Sequence, residues 1–150
     1  MEQSKKYELL NTDTIKLGSV TLFRIKALIS FGNVKKGELG GYVENESNLS
    51  HTGDAWVTGD AKVTGTAWVS DNAKVSGTAK VTGDAWVFGN AEVTGNARVT
   101  GKAWVSDNAN VTDNAKVTDD AWVFDNAKVA DNANVTGNAR VFGNTYVTGR

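Results

Sequence analysis

Residues 53–70 read GDAWVTGDAKVTGTAWVS, three six-residue units, and the unit continues without insertion to Thr148, sixteen hexads in all. Nearly every hexad has the form Gly/Asp-Asn/Asp-Ala-x-Val-Thr/Ser. A short fixed period means that each unit buries its apolar face only against its neighbours, so the chain reads as a solenoid. Within a hexad, Ala-x-Val-Thr alternates inward and outward, the period-2 pattern of a short strand, and the two preceding residues form a corner. Val fills its slot in all sixteen hexads, from Val57 to Val147, and Ala fills its own in fifteen, with Thr145 the exception. Small Ala and β-branched Val suit a narrow interior, and each buried Val contributes roughly 1.5–3 kcal/mol.

Hairpin connections would break the inward alternation at every turn, whereas a coil that always turns the same way preserves it. Gly, Asn and Asp at the corners tolerate left-handed backbone angles. The absence of proline fits a ladder in which every amide reaches an acceptor. The repeat Val-x-Gly-Asp/Asn-Ala-x-Val resembles the hexapeptide repeat of left-handed parallel β-helices. That resemblance covers about two thirds of the chain, and it implies an all-β fold with three hexads per triangular coil, about five coils and left-handed coiling. The segment from Phe31 to Ser50 resembles the leader of uncharacterised hexapeptide-repeat proteins of the YdcK type, found in bacteria and prophages, which have no settled activity.

About a third of the chain lies outside the repeat, giving residues 1–52 as an N-terminal β-rich cap with a degenerate first coil and 53–150 as the β-helix. Phe23, Ile25, Ala27, Ile29 and Phe31 alternate with Arg24, Lys26, Leu28 and Ser30 as a half-buried strand, and Gly32-Asn33 signals a turn. Tyr7–Leu10 and Thr14–Leu17 are expected to pair beside that strand and cover the N-terminal edge of the stack. Tyr42, Val43 and Leu49 read as degenerate first-coil positions, with His51 in an inward slot. The last coil, ending at Arg150 without a comparable cap, is expected to present an open edge or meet a partner.

Wrapped every eighteen residues, about 4.8 Å per rung, the outward positions sort into three faces. The first carries Trp68, Trp86, Trp104 and Trp122, then Arg140, with Ser70, Phe88, Ser106, Phe124 and Phe142 beside them. This array exceeds the apolar surface usual on monomers, so Trp68, Trp86, Phe88, Trp104, Trp122, Phe124 and Phe142 are the expected interface. Ring-on-ring stabilisation of the stack is the competing account. The third face carries Lys62, Lys80, Arg98 and Lys116, then Asn134, beside a threonine column. Those four cations are candidate anion-binding residues, or a solvated face neutralised by Asp60, Asp113 and Asp131. The second face is mixed: Trp56, Lys74, Glu92, Asn110, Lys128 and Tyr146. Its corner column Asn72, Asn90, Asn108, Asn126 and Asn144 suits an amide ladder.

The formal net charge of −1 and a pI near 5.8 supply no global attraction to nucleic acid or anionic membranes, and no specific nucleic-acid binding is predicted. No cysteine is present, so disulfide frameworks and thiolate metal sites are excluded. MEQSKKYELL has no apolar core of a signal peptide and no run spans a bilayer, giving a soluble, cytoplasmic protein as the expectation.

Resemblance to hexapeptide acyltransferases would imply a catalytic His and a projecting loop. The chain has one histidine, His51, and no interrupted hexad, so no catalytic residue is expected. One imidazole does not make the three-His zinc site of carbonic anhydrases, and the corner aspartates Asp107, Asp113, Asp119, Asp125 and Asp131 lack calcium-repeat spacing; no metal or cofactor is expected. The leading reading is a non-enzymatic β-solenoid that binds and homo-oligomerises through its aromatic face. The alternatives are a phage-associated inhibitor of an anionic ligand or host protein, and an acyltransferase-like enzyme.

Overall fold

The computed structural model describes residues 5–149; the first four residues and Arg150, where the open edge was expected, lie outside the described part. Three sheets of eight, six and five strands make up a stacked β-helix. All pairings in the six- and five-stranded sheets are parallel, and the eight-stranded sheet is parallel from Leu39–Val43 onward but begins with two antiparallel pairings in the cap. Their register follows the eighteen-residue wrap: Trp86 lies beside Trp68 and Trp104, Glu92 beside Lys74 and Asn110, and Arg98 beside Lys80 and Lys116.

The backbone accounting shows why so short a unit suffices. From the hexad starting at Gly83 into the next, Trp86 N donates to Ala103 O at 3.0 Å, Phe88 N to Val105 O at 2.9 Å and Asn90 N to Asp107 O at 2.7 Å. Ala85 N turns back within its own corner to Thr82 O. Most units therefore register as strand over only two residues, while bonds between rungs continue through the corners. The Ala and Val side chains from Ala55 to Val129 are fully buried and form one continuous core.

Six corner aspartates, among them Asp107, Asp113 and Asp125, hold φ between 58° and 61°, the left-handed region. Several carboxylates also accept the corner amide of the next rung, as Asp107 Oδ2 does from Asp125 N at 3.1 Å and Asp125 Oδ2 from Gly143 N at 3.0 Å. Asp therefore compensates the αL cost by satisfying an amide that the backbone ladder leaves over.

The cap is a hairpin of β1 (Tyr7–Leu17) and β2 (Val20–Ala27), followed by β3 (Leu39–Val43), which joins the first sheet of the helix. The expected pairing of Tyr7–Leu10 and Thr14–Leu17 against the leader strand is present, with an irregularity between Leu10 and Thr14. The strand itself stops at Ala27, short of the alternation that runs on to Phe31. Leu28 N is taken by Lys6 O and Ala27 O by Gly37 N, so the chain turns away and Ile29 is exposed. Gly40 and Gly41 permit the cap to seat: a Cβ at Gly40 would lie 2.4 Å from Val57 O, and one at Gly41 2.7 Å from Ala61 O.

The first coil departs from the expected register. Tyr42 pairs with Lys62 and Leu49 with Val69, each twenty residues apart, whereas Trp56 pairs with Lys74, eighteen apart. Two extra residues thus enter between Leu49 and Trp56. Leu49, fully buried, takes the inward slot, and His51 is displaced into an enlarged corner. His51 therefore does not occupy the inward slot expected for it; Leu49 does. Among the described residues no helix is long and apolar enough to cross a membrane.

Candidate functional site

Parallel pairing at eighteen residues brings Trp68, Trp86, Trp104 and Trp122 into one column, with Arg140 on the next rung. The rings of Trp86 and Trp104 stack at 5.1 Å and those of Trp104 and Trp122 at 4.7 Å, both pairs within 3° of parallel. Trp68 meets Trp86 edge-on at 5.4 Å, and the Arg140 guanidinium lies 5.0 Å from the Trp122 ring. Phe124 stacks on Phe142 at 5.4 Å, while Phe88 meets Trp104 edge-on at 5.9 Å. Ring-on-ring packing is therefore real, but it does not withdraw the face from water. Trp68 remains 38% exposed, Trp86 37% and Phe142 55%.

Beside the indoles the second column is uneven. Ser70 and Ser106 are buried, Ser106 between the projecting rings of Phe88 and Phe124 and Ser70 one rung below Phe88. Ser106 floors a notch of about 240 Å³ walled by Phe88, Phe124, Trp104 and Trp122.

On the third face Lys62, Lys80, Arg98 and Lys116 are aligned on neighbouring strands. The ion pairs among the described residues all lie in the cap, so Asp60, Asp113 and Asp131 do not pair with this column as expected. Lys62 Nζ instead reaches the carbonyl of Asp60 at 3.1 Å. The asparagine corner forms the expected ladder, Asn72 to Asn90 to Asn108 to Asn126 to Asn144, each amide donating to the next at 3.2–3.3 Å.

His51 belongs to the cap's polar network. Its ring stacks on Tyr7 at 4.2 Å, its Nδ1 accepts the Lys6 amide at 3.1 Å and its Nε2 lies 2.9 Å from Glu46 Oε1. Accepting at Nδ1 leaves the proton on Nε2, which donates to Glu46. That hydrogen bond, with Lys5 nearby, holds the Glu46 carboxyl below its usual range. Both ring nitrogens are thereby occupied.

Lys6 is buried: its Nζ donates to Ala55 O at 2.7 Å and to Gly53 O at 3.4 Å, and lies 4.5 Å from the Phe31 ring centre. Burial pulls its pKa down to about 8, against an opposing pull from Asp54. The Tyr7 hydroxyl donates to Leu49 O and Glu46 O, and burial, then the Glu46 charge, raises its pKa far above the usual value.

A recess absent from the sequence reading lies where the turn at Gly32–Val34 overhangs the second face. It encloses about 590 Å³, with Trp56 at its root and Glu38, Asp54, Lys74 and Glu92 along it. Trp56, an outward residue by pattern, is buried by Phe31 and Tyr7 packing edge-on against it. Only the breakdown of the mixed second face, beginning with an aromatic, hinted at such cover. The chain matches no protein-family model and no curated protein.

Proposed function

We propose that this β-solenoid works by binding, as a non-enzymatic scaffold that self-associates through the face built from Trp68, Trp86, Phe88, Trp104, Trp122, Phe124 and Phe142. One observation carries the reading: four indoles and three phenyl rings share one flat side, and Trp68, Trp86 and Phe142 keep more than a third of their surface in water after stacking on one another. Contiguous aromatic surface of that size is characteristic of association sites, where Trp contributes most per residue. The rungs beneath are hydrogen-bonded to one another along the column, which holds the rings in place before a partner arrives.

The test is the solution mass of the wild type and of Trp86→Thr/Trp104→Thr by light scattering at micromolar concentration. Thr is already frequent at the outward positions, so circular dichroism should be unchanged while the oligomer dissociates to monomer. A folded variant with the mass of the wild type would sink the assignment.

A further inference from the structure

We infer that the occupant of the aromatic face is a second copy of this chain, related by a two-fold axis along the strands between the Trp86 and Trp104 rungs, with antiparallel solenoid axes. The inference rests on the self-association reading and specifies its geometry. A two-fold interface joins the same patch on both copies, so the patch must complement itself. With the axis placed there, each rung faces the rung equidistant on the other side. Phe88 then opposes Ser106 of the second copy, Phe124 opposes Ser70, and Phe142 opposes Ser50, which occupies the column one rung below Ser70 through its amide bond to Val69 O. Every phenyl ring meets a serine. The notch over Ser106, about 240 Å³ and walled by rings, is a cavity for such a knob.

The corner preceding the tryptophans agrees. It presents Asp84 and Lys102 on adjacent rungs, both exposed and neither in an ion pair among the described residues. The same axis sets Asp84 of each copy against Lys102 of the other, two symmetric ion pairs flanking the centre. A shift by one rung in one direction places Phe88 on Phe88 and Asp84 on Asp84. The opposite shift places Phe88 on Phe124 and Lys102 on Lys102. With parallel solenoid axes each rung meets its own equivalent, and Phe88 and Phe124 abut the indoles of their own level. Shape and charge thus select one arrangement out of these, through repulsion in the others as much as attraction in the first.

Thr66 and Asp120 are exposed at the same corner, three rungs apart, and the proposed axis brings Thr66 of one copy opposite Asp120 of the other. The chain contains no cysteine, so Thr66→Cys and Asp120→Cys each add a unique thiol. The probe is a bis-maleimide with a spacer of about 10 Å, the separation of packed sheets. The equimolar mixture should give a cross-linked dimer, and neither variant alone should. A monomeric wild type in light scattering would overturn self-association itself. A dimeric wild type whose mixture fails to cross-link, or a single variant that cross-links to itself, would overturn this register alone.

Discussion

Lys6 shows how one residue closes an end of the stack. A parallel ladder leaves carbonyls of its first rung without donors, and the Lys6 ammonium donates to two of them, Ala55 O and Gly53 O. Asn48 does the same on the neighbouring side, its buried amide reaching Ala67 O at 2.8 Å and Gly65 O at 3.2 Å. The burial that makes the bonds also lowers the Lys6 pKa to about 8 from 10.5. Between those values the unfolded chain holds a proton that the folded one has released, so this group makes stability rise with pH across that window. Tyr7 acts oppositely above about pH 10, since its raised pKa keeps the proton in the folded state only. Urea midpoints of the wild type should therefore increase from pH 8 toward pH 10, and in Lys6→Met that increase should vanish. The variant should also lose about 1–3 kcal/mol near pH 10, where folded Lys6 is an uncharged amine, because Ala55 O is left buried without a donor. None of this was legible in sequence, where Lys6 is one of several lysines near the start.

At the scale of the rung, stability is a sum of nearest-neighbour terms, and position along the axis decides what a given Val contributes. Val105 is fully buried with rungs above and below, whereas Val147 is only partly buried in the last described rung. Val105→Ala should cost roughly 2–3 kcal/mol from lost methyl burial plus the cavity left behind, and Val147→Ala less than half of that, compared by urea denaturation. Periodicity fixed the inward slots in advance from Ala55 to Val135, whereas in the last described rung Ala139 and Thr145 are exposed despite their inward positions. It failed at His51 and at Ile29, for one reason: the period carries information only where the chain obeys it. The turn after Ala27 is set by the cap's backbone bonds with Lys6, Gly37 and Glu38, and the two extra residues before Trp56 lie where Lys6 N donates to His51 Nδ1 and Lys6 Nζ to Gly53 O.

At the scale of the whole molecule, the proposed dimer has a charge signature separate from its rings. Asp84→Lys and Lys102→Asp each convert two attractive contacts into two repulsive ones, and the double exchange restores opposite signs. Each single variant should dissociate at roughly tenfold higher concentration than the wild type in sedimentation velocity, with the double variant recovering most of the loss. Raising the salt should shrink all three differences, since these corners are exposed. A double variant weaker than both single ones would place the two corners apart.

By itself the sequence determined the six-residue unit, the inward Ala and Val, the αL-tolerant corners and the sorting of outward residues into an aromatic, a mixed and a basic face. All of these follow from local alternation and from a fixed wrap, which one chain states sixteen times. Tertiary structure alone decided what the cap covers: that Trp56 is buried, that His51 is held at both nitrogens, and that a recess opens under Gly32–Val34. It also decided that the indoles stack yet stay exposed at their outer edges. Those outcomes depend on contacts between segments tens of residues apart, where no period operates and only the packed geometry determines which groups meet.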